Sequence, residues 1–140
     1  MTDLPEDDEY ERRFAGVEKI YGDEAFRQYA HSHVMVIGIG GVGSWAVEAL
    51  ARTGIAELTI IDMDVVAASN INRQLPAMSS TLGREKIEVM AERCYSINPR
   101  IKINLVDDYL TPDNVKELLE CKPDVVLDCI DDVKAKLALM

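Results

Sequence analysis

Four glycines interrupt an apolar run in residues 34–45, VMVIGIGGVGSW. Gly38, Gly40 and Gly43 have the spacing G-x-G-x-x-G, and Gly41 is an additional glycine between them. A glycine turn that leads into a helix offers free backbone N–H groups, and the helix dipole adds to their attraction for phosphate. The spacing therefore indicates a phosphate compound, and by itself it fits NAD as well as a nucleoside triphosphate.

Charged residues further along the chain distinguish these two ligands. Asp62 ends an apolar run and is suited to the ribose that NAD and ATP share, whereas Asp64 could serve the ligand or cap a turn. Arg73 and Lys86 could neutralise the outer phosphates, and Asp131 could bind Mg²⁺ through its oxygens. A pyrophosphate does not require these groups, but a triphosphate with its metal does. The combination predicts ATP with Mg²⁺ rather than NAD.

The elements that must position these residues alternate between two patterns. The apolar runs HVMVIG, ELTIID, RIKINLV and DVVLDCI predict strands, and helices are predicted from about Ser44, Arg84 and Thr111. This order is typical of an α/β fold, a Rossmann-like doubly wound parallel sheet with four strands and the first strand inside. Because ligands bind at the carboxyl ends of such strands, we expect the candidate residues to converge at one edge.

Residues 1–30 are predicted to form an N-terminal helical arm of one or two helices, broken at Gly22. We expect the arm to pack on the main domain or on a neighbouring subunit. Its expected apolar anchors are Phe14, Val17, Ile20, Tyr21 and Phe26. Residues 31–140 are predicted to form the ATP-binding Rossmann-like domain.

The composition narrows the class of protein. A chain of 140 residues that is 48% hydrophobic and 29% charged is typical of one globular domain. Its net charge of −10 argues against a protein that coats nucleic acid. No apolar run approaches the ~20 residues of a membrane span, and the acidic N-terminus lacks a secretion signal, so we expect a cytoplasmic protein. The three cysteines never form C-x-x-C, which predicts free, mostly buried thiols.

Five motifs together resemble the ubiquitin-activating-enzyme-like (ThiF/MoeB/HesA) superfamily. They are GIGGVG at 38–43, DMD at 62–64, SNINRQ at 69–74, Lys86 and DCIDD at 128–132. Within it, GIGGVGSWAVEALARTGIAELTIIDMD, RRFAGVEKIYG and DDYLTPDNV are most similar to the branch that dehydrates threonylcarbamoyladenosine in tRNA. The resemblance implies that ATP adenylates the threonine carboxylate and that ring closure releases AMP. It also implies tRNA as the substrate of the complete enzyme, a homodimer and, in some relatives, a sulfur-transfer or acceptor protein as a partner.

The resemblance also assigns roles to individual residues. It implies that Gly41 and its neighbours contact the α-phosphate, that Asp62 binds the ribose and that Asp131 holds Mg²⁺. The implied cofactor-binding set is Gly38, Gly40, Gly41, Gly43, Asp62, Asp64, Asn70, Arg73, Gln74 and Lys86. The implied catalytic residues are Arg73, Lys86 and Arg13, the last reaching the site of the partner subunit.

Members of the superfamily continue beyond the length of this chain, so we expect it to be a truncated, N-terminal ATP-binding half. None of its cysteines matches the cysteine of the family's second half, and we assign no catalytic cysteine. One alternative is a sister enzyme that adenylates the C-terminus of a ubiquitin-like sulfur carrier in molybdopterin or thiamine synthesis. An NAD-dependent oxidoreductase and a non-catalytic binding module are further alternatives.

Overall fold

The structure is a computed structural model that describes residues 8–131 and 133–140. Residues 1–7 of the predicted arm and Asp132 of the DCIDD motif lie outside the described residues. The strands are β1 (His33–Ile37), β2 (Glu57–Ile61), β3 (Lys102–Val106) and β4 (Val125–Asp128). The α-helices are α1 (Asp8–Tyr21), α2 (Asp23–Tyr29), α3 (Gly43–Thr53), α4 (Lys86–Ile97), α5 (Val115–Leu118) and α6 (Val133–Leu139). Short 3₁₀ turns cover Ala68–Asn70, Ser79–Thr81 and Leu119–Cys121.

The four strands form one parallel sheet in the order β3-β2-β1-β4. This confirms the predicted α/β class and the interior position of the first strand. The chain proceeds from β1 to β2 and β3 on one side and then returns to place β4 on the other side of β1. The connections therefore diverge at the carboxyl end of β1, and a doubly wound sheet binds its ligands at such a point.

The continuous apolar sequence of β1 reflects burial on both faces of the sheet. Val34 and Val36 join a core with residues of α3 and α4, including Val47 and Met90. Met35 and Ile37 belong to a second core on the opposite face, with Leu110 and partly buried residues of α5 and α6. Successive side chains of a strand point to opposite faces, so a strand covered on both sides shows no polar alternation.

A partly buried ion pair links the two helices on the first face. The Glu48 carboxylate of α3 accepts hydrogen bonds from Arg93 of α4, with 3.0 Å between Nη2 and Oε2, and from Arg52 at 2.8 Å. Burial alone would raise the pKa of Glu48, but the hydrogen bonds from Arg93 and Arg52 outweigh it, and the pKa lies below its ordinary value of 4.5. The pair thus stabilises the α3–α4 contact in its ionised form.

Two of the predicted helices begin later than expected. Glu85 has an extended backbone and forms a β-bridge with Val65, so α4 begins at Lys86. Thr111 and Asn114 exchange side-chain and backbone hydrogen bonds as in a capping box, which fits the predicted cap at Thr111, but the Asn114 backbone (φ −110°, ψ −2°) departs from helical geometry and α5 covers only 115–118.

The helical arm has its predicted break at Gly22, and Phe14 and Phe26 are buried as expected. Ile20 and Tyr21, which are 76% and 59% exposed at the end of α1, do not anchor the arm on the domain of the same chain, and Tyr21 packs edge-on against Tyr29 of α2. The arm contacts the domain through the first part of α1 instead. None of the described helices combines the length and apolar character needed to cross a membrane.

The expectation of mostly buried thiols holds for one cysteine. Cys94 is buried in the core between the sheet and α4, whereas Cys129 is half-buried and Cys121 is exposed. All three are free thiols. Cys121 lies in the 3₁₀ turn that replaces the end of the predicted helix, and this turn carries its side chain to the surface.

Candidate functional site

A cleft of about 930 Å³ opens at the carboxyl edge of the sheet. All four strands contribute to its lining through the segments that follow them. The segments that follow β1, β2 and β4 are those that the sequence analysis predicted to form the site. The predicted residues on the lining are Gly38, Gly40, Gly41, Asp62, Asp64, Asn70, Arg73, Gln74, Lys86 and Asp131. The structure thus brings together every predicted site residue except Gly43 and Arg13.

Two glycines of the fingerprint are required by the turn itself. Gly38 has a φ of +93°, and a Cβ there would lie 2.7 Å from the carbonyl oxygen of Cys129. Gly43 is buried beneath the loop at the start of α3, and a Cβ there would lie 1.6 Å from the Gly38 carbonyl oxygen. These glycines therefore allow β1, β4 and α3 to approach closely, and Gly43 acts below the cleft rather than on its surface.

The other two glycines face the cleft. The side chain of Gln74 lies next to Gly40 and that of Arg73 next to Gly41, each 3.6 Å from the position of a Cβ. Among the described residues, no side chain caps the first turn of α3. The N–H groups of Ser44 and Ala46 in this turn bond to the carbonyls of Gly40 and Val42, and the attraction for an anion comes from the positive end of the helix dipole. The loop forms a cradle for a phosphate group.

Asp62 is buried and held by two backbone groups. Its Oδ2 accepts a hydrogen bond from the Ile39 N–H and its Oδ1 from the Asp64 N–H, each at 2.7 Å. These bonds fix the carboxylate at the edge of the glycine loop. Each ionised oxygen has more than one acceptor position, so Asp62 can also accept hydrogen bonds from the hydroxyls of a ribose.

Asp64 lies at the centre of a small polar network. Its Oδ2 is 3.9 Å from Nζ of Lys86, and its Oδ1 accepts a hydrogen bond from the Tyr109 hydroxyl. This bond is the main reason that the pKa of Tyr109 is raised. Lys86 is only 5% exposed although it begins α4. An ammonium group has three donors, so Lys86 can bind a phosphate while it remains close to Asp64.

Arg73 is positioned over the glycine loop by several contacts. Its Nη1 donates hydrogen bonds to the Ser69 carbonyl at 3.1 Å and to Oδ1 of Asn72 at 3.0 Å. The indole N–H of Trp45 donates to the Arg73 carbonyl at 3.0 Å, which ties the segment to α3. The guanidinium is exposed and has further donors, which suits recognition of a phosphate.

Asn70 and Asp131 complete the predicted set. The side-chain oxygen of Asn70 accepts a hydrogen bond from the Ala67 N–H at 2.9 Å, so its amide NH₂ is the group left for a ligand. Asp131 is exposed on the lining after β4. The described residues contain no cluster of three or more metal-binding side chains. A Mg²⁺ ion that takes one carboxylate, water and nucleotide phosphates needs no such cluster, so the residues present fit it.

Arg13 lies at the opposite end of α4 from the cleft. Its Nη1 donates hydrogen bonds to the carbonyls of Ile97 at 2.9 Å and Ser96 at 3.3 Å. Lys86 begins the same helix, and a helix of 12 residues is roughly 18 Å long. Within its own chain Arg13 therefore serves the C-terminal end of α4, and it does not reach the cleft.

The segment that follows β3 was missed by the sequence analysis. Asp108, Tyr109, Leu110 and Thr111 all line the cleft, and Tyr109 contacts Asp64. The carboxyl-end rule that selected the other segments applies equally to β3. Applied to RIKINLV, it would have indicated the DDY sequence that follows.

Neither of the two less exposed cysteines has the character of an activated nucleophile. Cys129 lines the cleft, but burial and the nearby Asp128 raise its pKa. Burial raises the pKa of Cys94 to about 12. Since the thiolate is the reactive form, these thiols are less reactive than an exposed cysteine. The structure gives no reason to assign a catalytic cysteine among them.

Comparison with known proteins agrees with this geometry. tRNA threonylcarbamoyladenosine dehydratase of Haemophilus influenzae is 50% identical over 140 residues, which are 100% of this chain and 54% of the relative. The crystal structure of E. coli tRNA N6-threonylcarbamoyladenosine dehydratase, TcdA, in complex with ATP matches with a TM-score of 0.93 and 49% identity. That match covers 94% of this chain and 54% of TcdA. Molybdopterin-synthase adenylyltransferase of E. coli is 36% identical over 115 residues, covering 82% of this chain and 45% of that protein.

The chain spans about half the length of the Haemophilus influenzae and E. coli dehydratases that it matches. The sequence model of the ThiF family matches residues 10–140, which include the helical arm from Tyr10, the whole sheet and every segment of the cleft. On this match the chain belongs to the ThiF family.

Proposed function

We propose that the chain is the ATP-binding half of an enzyme that dehydrates threonylcarbamoyladenosine in tRNA. The observation that carries the proposal is the cleft, in which a glycine cradle, two cations and several carboxylates converge at one sheet edge. The identity of 50% to the Haemophilus influenzae dehydratase supports the substrate, and the ATP complex of E. coli TcdA supports the nucleotide.

In this proposal each part of the cleft binds one part of ATP. The glycine loop and the first turn of α3 cradle the α-phosphate, and Asp62 accepts hydrogen bonds from the ribose. Arg73, Lys86 and the amide of Asn70 hold the outer phosphates. The site must bring the anionic carboxylate of the substrate to an anionic nucleotide, so these cations reduce the repulsion between them.

The proposed reaction has two steps. A carboxylate oxygen of the threonine moiety attacks the α-phosphorus of ATP, and the bond to the pyrophosphate breaks. A nucleophilic atom of the carbamoyl group then attacks the activated carbonyl carbon, the ring closes with loss of a proton, and AMP leaves. AMP carries away the oxygen that the carboxylate loses, so the substrate is dehydrated. Arg73 and Lys86 would stabilise the charge that develops on the departing pyrophosphate.

Mg²⁺, a homodimer and a cytoplasmic location belong to the same proposal. Asp131 would hold the metal, whose positive charge favours release of pyrophosphate. Arg13 would act on the cleft of a partner subunit, as the resemblance implies, whereas within its own chain it binds the far end of α4. A sulfur-transfer or acceptor protein is a further proposed partner, as in some relatives.

Calorimetric titration of the chain with ATP and with NAD, each in the presence of Mg²⁺, tests the nucleotide. We expect an isotherm for ATP and none for NAD, because only a triphosphate uses both Arg73 and Lys86. Binding of NAD without binding of ATP would contradict the proposal and favour an oxidoreductase domain.

Because the chain is proposed to be one half of the enzyme, the test of the tRNA substrate uses a longer protein that contains this chain. We expect AMP release when tRNA that contains threonylcarbamoyladenosine is added with ATP, and no release with unmodified tRNA. The second candidate is adenylation of a ubiquitin-like sulfur carrier, favoured by the 36% identity to molybdopterin-synthase adenylyltransferase. Pyrophosphate release with such a carrier, and none with modified tRNA, would support this candidate instead.

A further inference from the structure

A second cavity, of about 430 Å³, lies at the C-terminal end of α4 and is rich in positive charge. Its lining residues are Arg13, Phe14, Arg52, Arg93, Ser96 and Ile97. Three of the eight arginines of the chain thus meet at this arginine pocket, although the net charge of the chain is −10. Within the part of the chain that the structure describes, no carboxylate lines the pocket. Arginines that share a cavity repel one another, so their convergence favours a negatively charged ligand.

The carboxylate of Glu48 fixes two of these arginines. The Glu48 side chain is 11% exposed, and its oxygens accept hydrogen bonds from Nε of Arg52 at 2.8 Å and from Nε and Nη2 of Arg93. A side chain that is already held in place loses less conformational freedom when a ligand binds. The single charge of Glu48 also neutralises only one of the guanidinium groups. The arginine pocket therefore has preorganised donors and retains positive charge.

Most donors of the two fixed guanidinium groups have no partner in the protein. A guanidinium carries five N–H donors. Among the described residues, both Nη atoms of Arg52 and the Nη1 atom of Arg93 make no hydrogen bond. Arg13 is held by two backbone carbonyls at the end of α4, and its Nη2 lies 3.7 Å from Glu9, whose side chain is 72% exposed. The pocket thus offers several directed donors to an anion, and guanidinium donors match the oxygens of a phosphate group.

We propose that the arginine pocket binds a phosphate group of the tRNA backbone, with Arg52 and Arg93 as the donors. The inference rests on the proposed function in tRNA modification. Phe14 supplies the aromatic ring of the lining but is 2% exposed and cannot stack on a base, so the pocket would recognise backbone charge rather than sequence. The pocket lies at the opposite end of α4 from Lys86, which is roughly 18 Å away. ATP in the cleft of the same chain does not reach the pocket, whereas a tRNA is long enough to contact both sites.

The test measures how tRNA binding depends on salt. A longer protein that contains this chain is titrated, without ATP, with tRNA that contains threonylcarbamoyladenosine, at about 50 to 200 mM KCl. Arg52→Gln removes one charge from the pocket, and Glu48 keeps its hydrogen bonds from Arg93. Each phosphate contact contributes about 0.7–0.9 to the slope of log Kd against log salt concentration. We expect Arg52→Gln to lower the slope by about this amount and to weaken tRNA binding at low salt about three- to tenfold.

Two further variants separate the pocket from general charge effects. Arg27→Gln is the matched control, because Arg27 pairs with Asp23 at 2.8 Å across one helical turn, as Arg52 does with Glu48. It should leave the slope unchanged. Arg52→Lys retains the charge and loses the planar set of donors, so it should keep the wild-type slope and weaken binding less than Arg52→Gln. Thermal unfolding of each variant checks that it folds.

ATP is the competing source of a phosphate group. In the proposed homodimer Arg13 acts on the cleft of a partner subunit, so the pocket that Arg13 lines would border ATP bound there. Calorimetry with ATP on the same protein distinguishes the two sources, and Arg52→Gln should leave the affinity for ATP unchanged. If Arg52→Gln weakens binding of ATP as much as binding of tRNA, the pocket serves the nucleotide and the inference is overturned.

The inference is also overturned if Arg52→Gln keeps the wild-type slope and affinity for tRNA, or if Arg27→Gln lowers the slope equally. Failure of the proposed function gives a different result. If the wild-type protein binds no tRNA and releases no AMP with it, the proposed function fails and the inference fails with it. If the wild-type protein releases AMP with modified tRNA and Arg52→Gln does not alter the salt dependence of binding, only the inference fails.

Discussion

Replacement of Lys86 by methionine separates a role in nucleotide binding from a role in the fold. Lys86 is buried at the start of α4, and its Nζ approaches Asp64 at the long distance of 3.9 Å. The Asp64 carboxylate is half exposed and retains its bond from Tyr109. Methionine keeps an unbranched apolar side chain nearly as long as that of lysine and removes the ammonium group.

A role in the fold predicts that Lys86→Met lowers the unfolding temperature, whereas a role in nucleotide binding predicts that it weakens ATP binding and leaves the unfolding temperature unchanged or higher. A buried charge that is not closely paired costs free energy, and its partner Asp64 is half exposed, so water can solvate that carboxylate once the ammonium is removed. We therefore expect Lys86→Met to unfold at the wild-type temperature or slightly above. ATP binding should lose one charge-assisted hydrogen bond, worth about 1.5–3 kcal/mol, which corresponds to an affinity roughly ten to one hundred times weaker.

Calorimetry with ATP and AMP, combined with thermal unfolding of the ligand-free chain, measures both effects. The affinity for AMP should change less than that for ATP, because Lys86 is assigned to the outer phosphates. Lys116→Met on the exposed side of α5 is the matched control and should alter neither affinity. A variant that unfolds several degrees lower and binds ATP with unchanged affinity would refute this assignment and identify Lys86 as a structural residue.

Three further predictions follow from single contacts. Arg73→Ala should weaken ATP binding about tenfold or more but AMP binding much less, since a guanidinium over the outer phosphates has no partner in AMP; equal losses in calorimetry would contradict this. Glu48→Gln should lower the free energy of unfolding at pH 7 by about 1–2 kcal/mol, given that its arginine partners are partly exposed. Because the pKa of Glu48 is lowered in the folded state, its contribution to the free energy of unfolding is complete above pH 4.5 and is lost as the pH falls through the folded pKa. The free energies of unfolding of wild type and variant, measured by urea titration, should therefore converge at low pH. Gly43→Ala should cost about 3 kcal/mol or more, because its Cβ would overlap the Gly38 carbonyl, whereas Gly16→Ala in open space on α1 should stabilise the chain by about 0.5–1 kcal/mol.

The class of fold and the edge that carries the cleft were predictable from sequence. Apolar runs that alternate with helical patterns identify a parallel sheet, and parallel strands bring their carboxyl ends to one edge. The rule that ligands bind at the carboxyl ends of parallel strands requires only the positions of the strands and helices along the sequence. It selected the segments after β1, β2 and β4, and its omission after β3 left Tyr109 out of the predicted site.

Element boundaries and surface positions were less predictable. Thr111 caps a helix start as the sequence rule predicts, but the Asn114 backbone departs from helical geometry and the regular helix begins only at Val115. Ile20 and Tyr21 continue the apolar pattern of α1, yet they extend beyond the region where α1 contacts the domain. Such outcomes depend on the balance between competing contacts, and residue spacing does not reveal that balance.

The sequence by itself determined the glycine turn, the parallel sheet with its first strand inside and the collection of charges at one edge, because these follow from backbone geometry and connectivity. Only the tertiary structure decided how each group is used. It placed Gly43 against the Gly38 carbonyl, buried Lys86 near Asp64, bound Arg13 to the far end of α4 and left the Gln74 acceptor without a partner. Each of these depends on distances between residues far apart in the chain or on burial by other elements, and such distances exist only once the sheet and its helices have packed.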